Sequence, residues 1–336
     1  MSALITTVIG TYRRPGLLQA AIRSALAQSC PRLEVLVSDD CSGDQTAQVV
    51  AEIARRDARV RYTCRPANVG AFANFSQALT EVRTPFFSTL SDDDSLFPDF
   101  YAEALTALDQ HPEAWFCAGQ TQVVENGILG QLVTSGMPTG LHAKGEGFKL
   151  IARHFVGMGA TLYRTEVLQS IPFLRREAYR YCEDDIAFRI SRGHSFIFKA
   201  QPFYQYDANA SAPHRQAHLD YYLAVLAILQ DNFNSGALTA GMERALLNWC
   251  DHHLRKWVRR NILTASDRGA AYAEIRTEFL RIIPWAQTSA YARYRLHRAF
   301  YGTAIPLLPP LSKIKAMIKQ FRPASLTQHL RRVTKG

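Results

Sequence analysis

Short apolar runs alternate with amphipathic segments along the first third of the chain. The apolar runs are rich in β-branched residues and have the length of buried strands, whereas the segments between them place apolar residues at helical spacing. The predicted strands cover residues 4–9, 33–38, 60–64 and 85–90. The predicted helices between them cover residues 17–28, 46–56 and 72–82. This alternation predicts βαβ units and a mostly parallel sheet.

The pattern continues beyond residue 100, although less regularly. A turn is predicted at Glu125-Asn126-Gly127, between two segments of strand character. Further strands are predicted at 115–124, 157–164, 195–199 and 203–206, and further helices at 100–109 and from 181 to 189. From His218 onward the apolar residues keep helical spacing, so the remainder of the chain is predicted to be helical.

Polar side chains follow three of the predicted strands. Thr11 and Tyr12 follow the first strand, Asp39 and Asp40 end the second, and 92–94 follows the fourth. In a parallel sheet the ligand binds beyond the carboxyl ends of the strands, so these side chains are expected to meet at one edge. The sequence therefore predicts a functional site there.

The third of these loops holds three consecutive carboxylates, Asp92, Asp93 and Asp94. Adjacent negative charges repel one another unless something positive lies beside them. Mg²⁺ or Mn²⁺ would supply that charge, since either ion takes one or two carboxylates together with substrate phosphates. A solvated acidic turn that caps the helix beginning near Pro98 is the alternative.

Charge divides the chain into two unequal parts. The 336 residues are 47% hydrophobic, enough for one or two domains, and carry a formal charge of +10. Residues 1–240 hold 21 basic and 24 acidic side chains, whereas residues 241–336 hold 18 basic and 5 acidic ones. Because the basic character is confined to the C-terminal part and no nucleic-acid-binding motif accompanies it, no nucleic-acid partner is expected.

The six cysteines lie far apart, with neither a Cys-x-x-Cys pair nor a Cys/His cluster. This spacing favours reduced thiols over structural zinc or a disulfide scaffold. No basic segment precedes the first strand, and no apolar run has the length of a membrane span. We therefore expect a cytoplasmic protein.

Five short motifs occur in one order along residues 1–210. They are Val8-Ile9-Gly10-Thr11-Tyr12-Arg13-Arg14, Val37-Ser38-Asp39-Asp40-Cys41-Ser42-Gly43-Asp44, Asn68-Val69-Gly70 with Asn74, Ser91-Asp92-Asp93-Asp94 with Pro98-Asp99, and Glu183-Asp184-Asp185. In this order they resemble the inverting family-2 glycosyltransferases of the GT-A fold. The resemblance implies an α/β, Rossmann-like, mostly parallel central sheet flanked by helices, with a helical C-terminal extension. It implies a GT-A domain over 1–215 and a helical, basic region over 216–336.

The resemblance also implies a nucleotide-sugar donor, with UDP as the expected nucleotide. Thr11 and Tyr12 would flank the base, and Asp40, supported by Asp39, would accept a hydrogen bond from it. The donor-binding residues implied are Thr11, Tyr12, Arg14, Asp39, Asp40, Asn68, Gly70, Asn74 and Asp92. Ala73 stands where the family commonly has arginine, so one phosphate or ribose contact is expected to be missing. A turn and helix cap is the alternative for Asp39-Asp40.

The acidic run resembles the metal-binding Asp-x-Asp motif of the family, with Mn²⁺ or Mg²⁺ as the implied cofactor. Ser91 stands where the first aspartate is usual, so Asp93 is the expected direct ligand. Asp94 and His214 complete the predicted metal site, with Asp92 beside it. An ordinary loop residue is the alternative for His214.

Glu183-Asp184-Asp185 resembles the acidic motif that supplies the general base. Inversion requires a carboxylate that accepts the proton of the attacking hydroxyl, on the face opposite the nucleotide. Asp184 is the first candidate and Asp185 the second. Acidic residues that only stabilise the start of a helix are the alternative.

The C-terminal tail interleaves basic and apolar residues, and 312–321 would form an amphipathic helix. Such a helix can lie on an anionic membrane surface, here the inner face of the cell membrane, or pack on its own domain or a partner. The resemblance implies a metal-dependent glycosyltransferase for bacterial surface polysaccharide or lipopolysaccharide, acting on a glycan or lipid-linked acceptor. A non-catalytic nucleotide-sugar-binding protein or partner subunit of the same fold is the alternative.

Overall fold

The computed structural model describes residues 2–133, 136–209, 218–266, 268–282 and 290–307. Two compact units make up the chain. The first comprises Met1–Arg215 and Ala227–Trp249, and the second comprises Gln216–Leu226 and Cys250–Gly336. The predicted domain division at residues 215 and 216 stays a prediction.

A ten-stranded sheet forms the centre of the first unit. Its strands are β1 (Ile5–Thr11), β2 (Leu33–Asp39), β3 (Val60–Cys64), β4 (Phe86–Ser91), β5 (Ser95–Leu96), β6 (Ala114–Glu125), β7 (Ile128–Leu132), β8 (Gly140–His142), β9 (Thr161–Arg164) and β10 (Ser195–Asp207). The strand order is β3-β2-β1-β4-β9-β6-β10-β5, with β7 paired to β6 and β8 paired to β10. Strands β3, β2, β1 and β4 are mutually parallel, and β6 is parallel to β10. Between these two groups β9 runs antiparallel to both β4 and β6.

Helices connect the strands of this unit. They are α1 (Pro15–Leu26), α2 (Thr46–Arg56), α3 (Ala71–Leu79), α4 (Phe100–Gln110), α5 (Glu146–Ile151), α6 (Val167–Ser170) and α7 (Cys182–Gly193). A 3₁₀ turn over Arg176–Tyr181 leads into α7. The later helices are α8 (His218–Asn234), α9 (Ala240–Thr264), α10 (Arg268–Ile282) and α11 (Ala290–Ala304), and a 3₁₀ turn follows over Ile305–Leu307.

Burial explains why the N-terminal strands formed where the apolar runs predicted them. Ile5 and Ile9 of β1 are fully buried in one core with Leu18 and Ile22 of α1. Pro15 occupies the first turn of α1, where its missing N–H leaves no hydrogen bond unmade.

The order of the elements and the strand pairing confirm the predicted mostly parallel α/β sheet, flanked by helices and followed by a helical C-terminal region.

Two strand predictions need correction. Residues 195–199 and 203–206 belong to one strand, β10, whose register against β6 shifts around Pro202 because proline cannot donate a ladder hydrogen bond. The predicted strand over 157–164 begins only at Thr161, and the glycine-rich residues before it form a loop. The predicted turn at Asn126-Gly127 is present, and both residues have the positive φ that a tight hairpin requires.

The described part of the second unit is helical. Tyr221 stacks on Trp257 with ring centroids 4.5 Å apart, and Phe279 stacks on Phe300 at the same distance. In the part of the chain that the structure describes, no helix is long and apolar enough to cross a membrane. His214 and the predicted tail helix over 312–321 lie outside the described residues.

Gly10 allows α3 to pack closely against β1. A Cβ atom at this position would lie 2.6 Å from the ring of Phe75, which is closer than carbon atoms can approach. We therefore expect Gly10→Ala to lower the free energy of unfolding by about 1–3 kcal/mol, because the ring must move. Urea denaturation measures this change. The control is Gly16→Ala in α1, where no atom lies within 4 Å of the new methyl group. Equal stability of the two variants would contradict the expectation.

Candidate active site

The three polar loops predicted from the sequence meet at one edge of the sheet. Thr11 is paired with Asp39 across β1 and β2, and Gly10 is paired with Ser91 across β1 and β4. The residues that follow these positions therefore lie side by side beyond the carboxyl ends of the strands. The candidate site is built from here outward.

Asp39 is fixed by neighbours on both sides of its carboxylate. Ser42 donates to Oδ1 from its backbone N–H at 3.0 Å and from its hydroxyl at 2.5 Å. The Tyr62 hydroxyl donates to Oδ2 at 2.6 Å. Burial, together with this bond to a carboxylate, raises the pKa of Tyr62, so the phenol stays protonated. Asp39 thus holds the loop after β2 in shape.

Asp40 holds the loop that contains Asn68 and Gly70. Its carboxylate accepts hydrogen bonds from the backbone N–H groups of Val69 at 2.7 Å and Gly70 at 2.8 Å. Gly70 has a φ of +84°, a conformation that glycine adopts without strain. Beside this loop the Tyr12 ring is 39% exposed, and the Arg13 guanidinium lies 5.1 Å from its centroid. The exposed ring offers a face on which a planar ligand can stack.

Asn74 is buried in α3 and bonded entirely within the protein. Its Oδ1 accepts from the Ser38 hydroxyl at 2.6 Å and from Arg65 Nε at 3.1 Å, while its Nδ2 donates to the Ser38 carbonyl at 2.8 Å. Arg65 also pairs with Glu81 at 3.1 Å. Arg65 is not among the residues predicted from the sequence, although its position directly after β3 at the same edge could have indicated it.

Arg14 provides the positive charge that the acidic loop needs. Its Nη1 lies 2.8 Å from Asp93 Oδ2 and 3.3 Å from Asp92 Oδ1. The Thr11 hydroxyl donates to Asp92 Oδ2 at 2.7 Å. Burial raises the pKa of Asp92, while the Thr11 hydrogen bond and the Arg14 charge oppose the rise. Arg14, at the start of α1, therefore joins the first predicted loop to the third.

Asp94 is tied to β10. Its carboxylate accepts a hydrogen bond from the Tyr204 hydroxyl and another, at 2.8 Å, from the Asp207 backbone N–H. Burial raises the pKa of Asp94 to about 6. The three consecutive carboxylates therefore have different partners: Asp92 and Asp93 bind Arg14, and Asp94 binds β10.

The acidic start of α7 faces the same loop. The Met158 backbone N–H donates to Glu183 at 2.9 Å. Burial raises the pKa of Glu183 to about 7, and the negative charge of Asp94 adds to this rise. Glu183 and Asp94 are about ninety positions apart in sequence, but they lie at one site: the Tyr204 hydroxyl that binds Asp94 belongs to a ring that packs against Gly159, next to Met158. Glu183 belongs to the predicted acidic motif but has no predicted role of its own.

Asp184 and Asp185 occupy opposite environments on α7. Asp184 is 8% exposed, accepts a hydrogen bond from Trp249 Nε1 at 3.2 Å, and has its pKa raised to about 7 by burial and by the charge of Glu183. Asp185 is fully buried, and both its oxygens are held by the guanidinium groups of Arg175 and Arg189. A carboxylate enclosed in this way is not accessible to a ligand. The geometry therefore gives Asp185 a structural part and leaves Asp184 as the candidate base.

Metal ligands at this site would have to be shared with a substrate. Among the described residues no group of three or more His, Cys, Asp and Glu side chains is arranged to hold a metal ion. The carboxylate oxygens of Asp92 and Asp93 are nevertheless hard donors of the type that Mg²⁺ and Mn²⁺ prefer. This donor set fits an ion that completes its coordination with phosphate oxygens and water, as Mg²⁺ commonly does.

The ion pairs of Asp185 generate a stability prediction. Asp185→Asn leaves two largely buried guanidinium groups without their carboxylate, so we expect the free energy of unfolding to fall by about 3–5 kcal/mol. Asp231→Asn is the control, because Asp231 is only partly buried and its contacts with Arg175 and Arg192 are 3.3 and 3.4 Å long. Its loss should cost at most about 1 kcal/mol. Chemical denaturation of both variants measures the difference, and an equal loss would contradict the structural part given to Asp185.

Sequence comparison identifies the family. Residues 6–171 match the profile of Glycosyl transferase family 2. A GalNAc(5)-diNAcBac-PP-undecaprenol beta-1,3-glucosyltransferase of Campylobacter jejuni is 33% identical over 93 residues, which are 27% of this chain and 30% of that protein. Succinoglycan biosynthesis protein ExoO of Rhizobium meliloti is 36% identical over 95 residues, which are 28% of this chain and 27% of that protein. The matched part is less than a third of either relative.

Solved structures share the fold over most of the chain. Residues 1–349 of Staphylococcus aureus TarS superpose with a TM-score of 0.69 at 17% identity, covering 91% of this chain and 89% of that one. TarS has also been solved with UDP and with UDP-GlcNAc. The mannosyltransferase PcManGT of Pyrobaculum calidifontis, solved with GDP-Man and Mn²⁺, gives a TM-score of 0.51 at 13% identity over 89% of this chain and 86% of that one. These likenesses confirm the GT-A fold. Through residues 6–171, this chain belongs to glycosyl transferase family 2.

Proposed function

We propose that this protein transfers a sugar from a nucleoside-diphosphate donor, with UDP as the nucleotide, to a hydroxyl acceptor with inversion. One observation carries the proposal: the acidic loop after β4 and the acidic start of α7 meet at the edge where Thr11 and Arg14 lie. Asp94 accepts a hydrogen bond from Tyr204, the Tyr204 ring packs against Gly159, and the neighbouring Met158 donates to Glu183. The donors named in the TarS structures support UDP as the nucleotide.

The nucleoside would bind between the first two loops. In this proposal the exposed Tyr12 ring stacks on the base, and Asp40 accepts a base N–H with lone pairs beyond those used by Val69 and Gly70. Asp39 and Asn74 would support these loops without contacting the nucleoside, because their side chains form hydrogen bonds within the protein. Asn68 and the backbone near Gly70 close the pocket beside the ribose.

The diphosphate would lie over Asp92 and Asp93, near Arg14. Asp93, with Asp92 beside it, would hold Mn²⁺ or Mg²⁺, and the ion when bound supplies charge that stabilises the departing nucleotide. Arg14 already binds both carboxylates, and its positive charge, like that of the metal ion, would attract the phosphate oxygens. Asp94 would support the site through its bonds to β10, and the predicted ligand His214 stays a prediction.

Asp184 would act as the general base. In the proposed step the acceptor hydroxyl oxygen bonds to the anomeric carbon while its proton passes to the Asp184 carboxylate, and the bond from that carbon to the diphosphate oxygen breaks. Attack from the side opposite the leaving nucleotide inverts the anomeric centre. The pKa of about 7 places Asp184 where a base can both accept a proton and be regenerated.

The acceptor and the cellular setting extend the proposal. One of the two relatives is named as a glucosyltransferase of an undecaprenol-linked glycan, and the other is named as a succinoglycan biosynthesis protein. We propose a corresponding part for this protein in bacterial surface polysaccharide or lipopolysaccharide assembly, on a glycan or lipid-linked acceptor. We place that assembly step at the cytoplasmic face of the cell membrane, with the basic C-terminal tail as the element that approaches the anionic surface.

Donor binding and hydrolysis test the activity and separate an enzyme from a non-catalytic binding protein. UDP-glucose, UDP-galactose, UDP-GlcNAc and UDP-GalNAc would be offered with Mn²⁺, with GDP-mannose as a different nucleotide. We expect one of the UDP-sugars to bind and to be hydrolysed slowly, and Asp93→Ala to reduce hydrolysis at least about tenfold because the ion loses a ligand.

Asp99→Ala is the matched control, since it removes an exposed carboxylate six positions away. Its hydrolysis rate should equal that of the wild type. Binding without any hydrolysis would favour the binding-protein alternative, and equal effects of the two substitutions would contradict the role of Asp93.

The pH dependence tests the base. Burial raises the pKa of Asp184 to about 7, so the carboxylate is protonated and inactive below that pH and becomes competent above it. We expect the transfer rate to fall about tenfold per pH unit below 7 and to level off above it. Asp184→Asn should lower the rate by about 10²–10⁴-fold. Stopped assays between pH 5.5 and 9, with folding checked by circular dichroism, measure the profile; a flat profile would contradict the assignment.

A further inference from the structure

Trp249 binds the candidate base from another helix. It belongs to α9, lies in the first unit and is only 5% exposed. Its indole Nε1–H donates a hydrogen bond to Asp184 Oδ1 over 3.2 Å. In the described part of the chain, no other side chain donates a hydrogen bond to this carboxylate. The orientation of Asp184 therefore depends on Trp249.

Two aromatic rings on either side of Asp184 hold the indole in place. Tyr181, directly before α7, and Phe188 within it both contact the indole edge to face, with ring centroids 5.7 and 5.2 Å away. Tyr181, Asp184 and Phe188 have the spacing of one helix face. Phe188 packs in turn on Phe148 of α5, with 4.8 Å between centroids. Because packing fixes the indole, its N–H is already placed to bind the carboxylate.

The charge of the partner distinguishes Asp184 from Asp185. Asp185 is bound by two positively charged guanidinium groups. The Trp249 indole is neutral, and its N–H can donate but cannot accept a hydrogen bond. Such a donor orients a carboxylate and favours its ionised form without supplying a full positive charge. A general base needs this combination, because it has to be held in one orientation and still take up a proton.

The charged groups around Asp184 act against the indole. Burial and the negative charges of Glu183 and Asp185 raise the pKa of Asp184, whereas the Trp249 hydrogen bond and the Asp184 backbone N–H lower it. Glu183 is itself bound by the Met158 backbone N–H. Of the side chains named here, Trp249 is the one that favours the ionised form. Loss of its N–H is therefore expected to raise the pKa of Asp184 further.

We propose that Trp249 is a positioning residue for the candidate base, an inference that rests on the proposed glycosyl transfer. Its N–H holds Oδ1 of Asp184, so that Oδ2 accepts the proton of the attacking hydroxyl. A proton on Oδ1 would weaken the bond to the indole, whereas a proton on Oδ2 leaves it in place. The hydroxyl oxygen meanwhile bonds to the anomeric carbon, and the diphosphate departs with the electron pair of the broken bond.

Two variants of Trp249 remove the donor. Trp249→Phe keeps an aromatic ring without the N–H. Incorporation of 3-benzothienylalanine at position 249 keeps the bicyclic shape and replaces the N–H with sulfur, and this variant decides the test if Trp249→Phe does not fold. Trp257→Phe is the matched control, because it makes the same change in the second unit, at a ring that stacks on Tyr221. Melting temperatures of the full chain report the folding of each variant.

Titration of Asp184 without any substrate is the first readout. In protein labelled with ¹³C at the aspartate carboxyl groups, the Asp184 signal is the one missing from Asp184→Asn. We expect its midpoint to rise by about 0.5–1 pH unit in both variants of Trp249, because the ionised form loses one hydrogen bond. The midpoint should stay unchanged in Trp257→Phe.

The pH dependence of donor hydrolysis is the second readout, measured with the UDP-sugar that the wild type hydrolyses. In both variants of Trp249 the rising limb of the profile should move to higher pH by the same amount. The rate at pH 9 should fall about three- to tenfold, because one hydrogen bond no longer orients the base. In the Asp184→Asn background, Trp249→Phe should cause no further loss, since the indole acts through Asp184.

An unchanged or lowered Asp184 midpoint in the variants of Trp249 would overturn the proposal. So would an equal shift in Trp257→Phe, or an undiminished loss of rate in the Asp184→Asn background. A wild type that hydrolyses no UDP-sugar, or does so with a flat pH profile, would instead refute the proposed function, and the positioning role with it. Because the titration needs no substrate, the two failures give different results.

Discussion

Compensation of negative charge at one edge of the sheet is the constraint on which the site depends. Three consecutive carboxylates after β4 could not remain together unless each had its own partner. Arg14 and the Thr11 hydroxyl stabilise Asp92, Arg14 also pairs with Asp93, and β10 binds Asp94. Because these partners come from β1, from the start of α1 and from β10, the acidic loop fixes the relative positions of the elements around it.

The partners of each carboxylate also decide its state in α7, where two neighbouring aspartates have different surroundings. Asp185 is enclosed by two guanidinium groups and anchors the helix, with Arg189 also donating to backbone carbonyls of the preceding segment. Asp184, one position earlier, accepts a hydrogen bond from the Trp249 indole N–H and lies beside Glu183. A helix that is anchored by one acid can therefore hold the next one in a buried position that raises its pKa to about 7.

Much of this arrangement could be predicted from the sequence, because apolar runs and polar strand ends report burial directly. The alternation of strands and helices and the edge that carries Thr11 and Asp92 follow from the pattern alone. Two kinds of feature could not be predicted. Long-range partners such as Arg175 and Trp249 carry no local signal, and the antiparallel direction of β9 depends on pairings across the sheet. The separate parts of Asp184 and Asp185 likewise depend on neighbours distant in sequence.

The reversed direction of β9 has a consequence for divergence among proteins of this fold. Because β9 runs antiparallel to β4 and β6, the segment that precedes it lies at the edge of the sheet that carries the candidate site. The residues that follow β9 lie at the opposite edge. Residues 126–160 can accordingly gain or lose length without shifting the register of β1, β2 or β4. Changes in that stretch can therefore alter what the candidate site binds while the loops after β1, β2 and β4 keep their geometry.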